Sequence, residues 1–477
     1  MHAKLVVLGG GPGGYAAAFM AADLGMEVTL VEADPRLGGT CLLRGCIPSK
    51  ALLHVAKVVS EAREMIDWGI EFSEPKISVD ALRARKEKVI ATLSGGLKQL
   101  ASRRKVQVIT AKAFFENSTT LRLEPTGEGG AIEKLTFDHC ILATGSTPTK
   151  IPAFDIGSSR VIDSTGALEL VDIPESLLVV GGGYIGLEMG SVYAELGTQV
   201  TVVELTDGLL PGADRDLVKP LHQRLNKHFK SIMLSTKVVS LVEKDNAVEV
   251  TFQDADGSNE RTERFSRVLV SVGRRPTSQG IGLENTKVKI DKRGFVETDD
   301  QQRTADPHIL AIGDVAGEPM LAHKASHQGK VAAEALHGGP AHFAPHAIPA
   351  VVFTDPEIAW AGLTEEQAKR ENRQVEVVKY PWAASGRAQA LGRTEGMTKF
   401  LIDPETDRVL GIGLVGAGAG ELVAEGVLAI EMGCTARDIA ESIHPHPTLS
   451  ETLAFGSEAY LGIATEIYRP RSDKNNH

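Results

Sequence analysis

Apolar residues in this chain bunch into short runs that end in glycine, and one such pattern occurs twice. Residues 5–32, LVVLGGGPGGYAAAFMAADLGMEVTLVE, align with residues 177–204, LLVVGGGYIGLEMGSVYAELGTQVTVVE, at a constant offset of 172. Each copy reads as a continuous apolar strand, a glycine turn, a helix of small and apolar residues, and a second apolar strand ending in glutamate. Two later apolar strands, CILATGSTP (140–148) and RVLVSVGRRPT (267–277), look like crossings between domains, and ILAIGDVAG (309–317) is another strand running into a glycine turn, with Asp314 in it. From residue 347 onward, apolar runs alternate with helical patterns such as GELVAEGVLAIEMG (420–433), which predicts a separate α+β domain. No low-complexity linker interrupts the pattern, and no apolar run reaches the roughly 18 to 20 residues that a bilayer-spanning helix needs.

The predicted fold class is therefore α/β, with two Rossmann-like dinucleotide-binding domains and a C-terminal α+β domain. The expected boundaries are 1–148 for the first nucleotide domain, 149–274 for the second, 275–346 for a central segment returning to the first, and 347–477 for the last. In each βαβ unit the first glycine (Gly9, Gly181) permits a tight turn, the second (Gly11, Gly183) lets the backbone approach a pyrophosphate, and the third (Gly14, Gly186) lets helix pack close to strand. The helix N-terminus faces the phosphates with unpaired amides, and the acid at the end of the second strand, Glu32 or Glu204, accepts hydrogen bonds from a ribose hydroxyl. A single copy fits an ordinary strand-to-helix turn; two copies with strand, helix and acid in place point to two bound dinucleotides. Glu204 would repel a 2′-phosphate and no arginine immediately follows it, so the second unit is expected to take NAD rather than NADP.

Composition narrows the partners. The formal charge of −11 argues against a nucleic-acid backbone, which is bound by clustered Lys and Arg. The first strand-like run begins at Lys4, which leaves no room for a leader peptide, and four cysteines in 477 residues are too few for a disulfide-framed secreted chain. A cytoplasmic protein without membrane insertion is the expectation.

Two of those cysteines, Cys41 and Cys46, lie close together in GGTCLLRGCIPSK (38–50). A zinc site needs about four ligands, and neither Cys140 nor Cys434 has a neighbouring Cys or His to complete one. Two buried thiols serving as small hydrophobes remain an alternative. Against it, the pair follows shortly on the first nucleotide acid, where the chain passes the reactive end of a bound dinucleotide. Positions five apart are poorly aligned in an ideal helix, so the LLRG segment must distort the first turn if the pair is to form a disulfide. Arg44 and Lys50 both stand where a cation can favour a thiolate, although an Arg44 side chain that points outward and is merely solvated fits the sequence as well. In SIHPHPTLSE (442–451), His446 with Glu451 offers a base whose tautomer a carboxylate fixes, although a plain surface loop gives the same pattern.

Taken together, GGGPGG, GGTCLLRGCIPSK, ILATGS, GGGYIGLEMG, GRRPT, AIGDVAG, MLAHKASHQG, FTDPEIAWAGLTEEQA, YPWAASGRA and HPHPTLSE resemble the FAD-dependent pyridine nucleotide disulfide oxidoreductases nearly end to end, and the FTDPEIAWAGLTE and PWAASGRA segments resemble its lipoamide branch. That resemblance implies FAD at Gly9, Gly11, Gly14, Glu32, Gly39, Thr40, Lys50, Ala113, Gly145, Asp314 and Ala322. It implies NAD at Gly181, Gly182, Gly183, Tyr184, Ile185, Gly186, Glu204, Val238 and Gly273. Cys41 would be the interchange thiol and Cys46 the thiol beside the flavin, with Lys50 paired to Glu188 near the reactive flavin nitrogen. The last domain would form a homodimer in which His446 and Glu451 complete the active site of the opposite subunit. The implied activity is oxidation of protein-bound dihydrolipoamide with reduction of NAD⁺, the partners being lipoyl domains of 2-oxo-acid dehydrogenase or glycine-cleavage complexes. The alternative on the same fold is a glutathione-type or other small-disulfide reductase; an alternative of another class is a non-catalytic flavoprotein scaffold. Leu43 and Arg44 depart from the pattern of relatives, which often have Asn-Val or a similar pair between the cysteines.

Overall fold

The structure is a computed structural model and describes residues 1–126 and 133–468; residues 469–477 of the expected last domain lie outside the described residues. The first sheet begins with β1 (His2–Leu8), α1 (Pro12–Asp23) and β2 (Val28–Glu32), and β2 lies parallel to β1 with Leu5 opposite Val28. Three helices follow, α2 (Gly39–Arg44), α3 (Cys46–Glu64) and α4 (Val79–Arg103). Then β3 (Gln107–Asn117), β4 (Thr120–Pro125) and β5 (Glu133–Leu142) run as an antiparallel meander. The start of β3 is parallel to β2, and β5 is parallel to β1 on its other side. Continuous burial of residues 5–8 and 28–31 reflects a sheet covered on both faces, which is why these strands read as unbroken apolar runs.

The chain then crosses to the second sheet on β6 (Ser146–Pro148), followed by β7 (Val161–Ile162), α5 (Ser164–Glu169), β8 (Ser176–Val180), α6 (Tyr184–Glu195), β9 (Gln199–Val203), α7 (Arg215–His228) and β10 (Ser231–Met233). An antiparallel meander of β11 (Thr236–Lys244), β12 (Ala247–Asp254) and β13 (Arg261–Phe265) precedes β14 (Arg267–Val270) and the return crossing on β15 (Arg274–Pro276). The second sheet is parallel, in the order β10-β9-β8-β14-β7. The two crossings pair with each other, Arg274 opposite Pro148 and Pro276 opposite Ser146, so both predicted crossings form one two-stranded ribbon between the sheets. After it, β16 (Ile309–Ala311) adds to β5 of the first sheet, and α8 (Ala322–Leu336) packs across α1. The helices meet at glycine: a Cβ on Gly329 would lie 2.5 Å from the carbonyl oxygen of Gly13.

The last unit contains β17 (Ala350–Val352), β18 (Glu357–Gly362), α9 (Glu365–Arg370), β19 (Glu376–Pro381), α10 (Gly386–Leu391), β20 (Met397–Ile402), β21 (Val409–Gly416), α11 (Ala419–Glu431), α12 (Ala436–Glu441) and α13 (Glu451–Leu461). Its antiparallel sheet has the order β17-β18-β21-β20-β19 around a core that includes Tyr380, Trp382 and Phe400. Lys399 of β20 is 1% exposed, and its Nζ lies 2.6 Å from Asp214, 2.9 Å from Asp216 and 2.7 Å from Glu365. A buried ammonium among three carboxylates ties the last domain to α7 of the second; removing a partner from such a cluster costs about 3 to 5 kcal/mol. On the opposite side, α11 and the turn after it leave Leu428 and Met432 more than half exposed. Among the described residues, no helix is long and apolar enough to cross a membrane.

Candidate active site

The distortion expected between the cysteines takes the form of a break. Cys41 is the third residue of α2, Cys46 is the first of α3, and Gly45 between the helices has φ −148° and ψ −114°. A Cβ at Gly45 would stand 2.8 Å from the Thr40 carbonyl oxygen and 3.3 Å from the Cys41 Cα, so close approach of the two helices requires glycine there. Both thiols are free. Cys46 is exposed and Cys41 half-buried, and both line a cleft of about 970 Å³ that also receives Lys50, Tyr184 and Glu188.

One thiol is prepared as the anion. The hydrogen bond from Cys41 stabilises the Cys46 thiolate, the Lys50 ammonium adds to this against desolvation by the cleft walls and the nearby Glu188, and the Cys46 pKa is pulled down to about 7. The same hydrogen bond, together with burial, pushes Cys41 up. Lys50 Nζ lies 2.8 Å from Oε2 and 3.1 Å from Oε1 of Glu188, which is 3% exposed on α6. Arg44, the other cation expected to favour a thiolate, pairs instead with Asp34. Its guanidinium is spent on a carboxylate, which leaves Lys50 as the cation acting on Cys46.

The two glycine units have the same local geometry. In the first, Glu32 accepts from the Gly10 amide at 2.5 Å and from the Asp34 amide at 2.9 Å; in the second, Glu204 accepts from Gly182 at 2.6 Å and from Thr206 at 2.8 Å. Gly9 and Gly181 have φ of +110° and +108°, and a Cβ on either would strike the Ala143 or Ser271 carbonyl oxygen. A Cβ on Gly14 would lie 1.8 Å from the Gly9 carbonyl oxygen, and on Gly186 2.4 Å from that of Gly181, the close helix-to-strand packing expected of a third glycine. Neither α1 nor α6 has a side-chain cap or an acid in its first turn, so both N-termini offer free amides to a phosphate.

The cleft is lined by Gly9, Gly11, Glu32, Gly39, Thr40 and Ala113, by Gly145, Asp314 and Ala322, and by Tyr184 and Ile185. Its size and its glycine walls fit an extended dinucleotide: a Cβ on Gly39 would stand 2.5 Å from the Gly11 Cα. Asp314 is held by Ser146 Oγ at 2.5 Å, and Ser146 in turn by Arg274, so the crossing ribbon braces this carboxylate. The remaining second-unit positions lie outside the cleft: Gly181–183, Gly186 and Glu204 at the β8–α6 turn and the end of β9, Val238 on β11, and Gly273 just before β15. His446 and Glu451 are also absent from the cleft of their own chain. They do form the expected pair, Nδ1 to Oε1 at 2.8 Å, with the carboxylate buried and the imidazole 75% exposed. Sequence reasoning missed Asp34, Ser146, Arg274 and Phe353; their contacts are with residues far along the chain or, for Asp34, with a departure from the expected pattern.

Comparison with known proteins agrees with this geometry. Residues 3–329 match the family model described as pyridine nucleotide-disulphide oxidoreductase, and residues 348–455 match the dimerisation domain of that family. A dihydrolipoyl dehydrogenase of Vibrio parahaemolyticus is 47% identical, covering 99% of both chains. One of Haemophilus influenzae is 48% identical, covering 97% of this chain and 96% of the relative. Among solved structures, LpdA from Mycobacterium tuberculosis superposes with a TM-score of 0.87 at 27% identity, covering 96% of this chain and 99% of that one. The flavoprotein disulfide reductase RclA from Escherichia coli gives a TM-score of 0.84 at 27% identity, covering 95% and 99%. With paired thiols set beside a buried ion pair between two glycine-rich nucleotide units, and with these matches over nearly its whole length, the chain belongs to the pyridine nucleotide-disulphide oxidoreductase family.

Proposed function

We infer that this chain is an NAD-dependent dihydrolipoyl dehydrogenase, which oxidises protein-bound dihydrolipoamide to lipoamide through a Cys41–Cys46 disulfide and FAD. The observation that carries the reading is the position of the two thiols, with Lys50 and Glu188, in the cleft between the two nucleotide units. FAD would lie with its pyrophosphate at the α1 N-terminus near Gly9 and Gly11, a ribose on Glu32, and further contacts from Gly39, Thr40, Ala113, Gly145, Asp314 and Ala322. NAD would take the α6 N-terminus at Gly181–183, with Glu204, Val238 and Gly273 toward its adenosine and Tyr184, Ile185 and Glu188 toward the reacting ring. The chemistry that FAD supplies when bound is a two-electron relay from the dithiol to NAD⁺.

The chain's own residues perform the thiol and proton steps. His446 of the partner subunit, held at Nδ1 by its own Glu451, takes a proton at Nε2 from one substrate thiol. The resulting thiolate attacks Cys41 Sγ; the Cys41–Cys46 bond breaks, and Cys46 leaves as the thiolate favoured by its neighbours. The second substrate thiol displaces Cys41 from the mixed disulfide and its proton passes to the departing Cys41 sulfur, which closes the substrate disulfide and leaves Cys41 as the thiol and Cys46 as the thiolate. Lys50 balances the charge left on Cys46, and Glu188 holds Lys50 in place.

Lipoyl domains of 2-oxo-acid dehydrogenase or glycine-cleavage complexes are the proposed partners, and sparse cysteine usage supports a reducing, cytoplasmic setting. The segments 1–148, 149–274, 275–346 and 347–477 are the proposed division into FAD, NAD, central and interface domains. One steady-state experiment tests the reading: NAD⁺ reduction by dihydrolipoamide, run beside glutathione disulfide with NADPH. Turnover is expected with the first pair; turnover with the second alone would replace this activity by that of a glutathione-type reductase.

A further inference from the structure

The Lys50–Glu188 pair is completed by a residue from the C-terminal domain. Phe353 follows β17, and its backbone N–H donates to Glu188 Oε1 at 3.0 Å, the oxygen that also receives Lys50 at 3.1 Å. The Phe353 ring faces the same ammonium, with Nζ 4.4 Å from the ring centroid. Lys50 is thus held by a carboxylate and by the electron-rich face of an aromatic ring. A second cleft of about 330 Å³ is lined by Phe353, His54, Arg224 and Asp355; Lys50 lines both this cleft and the one holding the thiols.

The segment carrying Phe353 is fixed on its far side. Thr354 Oγ1 donates to the Pro356 carbonyl at 2.9 Å, and Asp355 takes Arg224 of α7 at 2.8 Å and Arg393 of its own domain at 2.5 Å. The ring therefore sits on a short bridge anchored to both the second and the last domain.

We propose that Phe353 is a positioning residue for the redox pair, through which the C-terminal domain holds Lys50 in the place where its charge acts on Cys46. The proposal rests on the redox role given to the two thiols. Groups facing Cys46 are Lys50 on its own helix, Cys41 on α2, Tyr15 on α1, and Glu188 and Tyr184 on α6, together with His446 of the partner subunit in the proposed dimer. Phe353 adds no charge to this set. A change in thiolate titration on altering its side chain must therefore come through the placement or hydration of Lys50.

The test uses the FAD-loaded dimer reduced by two electrons, following the thiolate-to-flavin absorption band against pH in Phe353→Leu and Phe353→Tyr. Phe353→Leu keeps the backbone N–H but removes the aromatic face. Its titration midpoint is expected to rise by at least about half a pH unit, roughly a threefold change in proton affinity. Phe353→Tyr, which restores the ring, is expected to titrate as the unaltered protein does. Should Phe353→Leu fail to fold, Phe353→Met fills similar space without a ring and is expected to give the same rise. An unchanged midpoint in the folded ringless variant, or an equal shift in Phe353→Tyr, overturns the proposal. Absence of the band in the unaltered protein would instead overturn the redox role of the thiols, so the two failures are distinguishable.

Discussion

Lys50 on α3 and Glu188 on α6 are 138 residues apart, yet Nζ and Oε2 meet at 2.8 Å beside Cys46. The contact joins the helix that follows the redox segment to the helix that opens the second nucleotide unit. A single ion pair thereby carries charge to the place where the two proposed cofactor sites converge.

The two members of that pair act on Cys46 with opposite sign. Lys50 favours its thiolate and Glu188 disfavours it. In the two-electron-reduced protein, the thiolate band is expected to grow as pH rises through the Cys46 pKa, near 7 in the free structure. Lys50→Met should move the midpoint up, and Glu188→Gln should move it down, as read by absorption titration. Lys50→Met also strands a buried carboxylate, with an expected loss of about 3 kcal/mol in unfolding free energy by denaturant titration.

In the proposed NAD site, Glu204 is the residue that would discriminate between nicotinamide cofactors. Its carboxylate already accepts from Gly182 and Thr206, which holds its charge in place at the end of β9, where the proposed ribose would sit. Repulsion of a 2′-phosphate there costs on the order of 1 to 3 kcal/mol, about tenfold to over a hundredfold. Steady-state kcat/KM is expected to favour NAD over NADP, and Glu204→Ala should narrow the ratio. A preference for NADP in the unaltered protein contradicts the assignment.

The repeat behind that prediction was legible because everything that defines it is local. Glycine, helix and acid recur at an offset of 172, and the Glu32–Gly10 and Glu204–Gly182 bonds repeat at the same offset. His446 and Glu451 were legible for the same reason, since a loop histidine can reach forward to a carboxylate five residues on, at the start of α13. The Lys50–Glu188 contact had no such signal: it depends on how two helices from different sheets meet, and only family resemblance suggested it. Arg44 shows the opposite failing, in which proximity in sequence to Cys46 invites a contact that the side chain does not make. Phe353 contributes a backbone amide and a ring face, neither of which residue type alone reveals.

Arg44 is accordingly expected to leave the thiols alone. Its pairing with Asp34 ties the redox helix to the loop after Glu32, and Asp34 also donates its amide to Glu32. Arg44→Val should titrate with an unchanged thiolate midpoint while retaining FAD less tightly, as measured by flavin fluorescence on dilution. A raised midpoint with unaltered retention would assign its charge to Cys46 instead.

Because His446 is exposed and does not line the thiol cleft of its own chain, the proposed active site draws on two subunits. Mixing inactive Cys46→Ser with inactive His446→Ala protein, under conditions that allow subunit exchange, is expected to restore part of the activity. In the mixed dimer one site collects both lesions and the other none. No recovery after proven exchange would place each site within one chain.

The most direct test of the redox centre is anaerobic titration of the FAD-loaded protein with dihydrolipoamide, followed by absorption. One equivalent per subunit is expected to produce the long-wavelength thiolate-to-flavin band in the unaltered protein and no such band in Cys46→Ser. Bleaching of the flavin without the band, or the same band in Cys46→Ser, would contradict the assignment of Cys41 and Cys46 as the working pair.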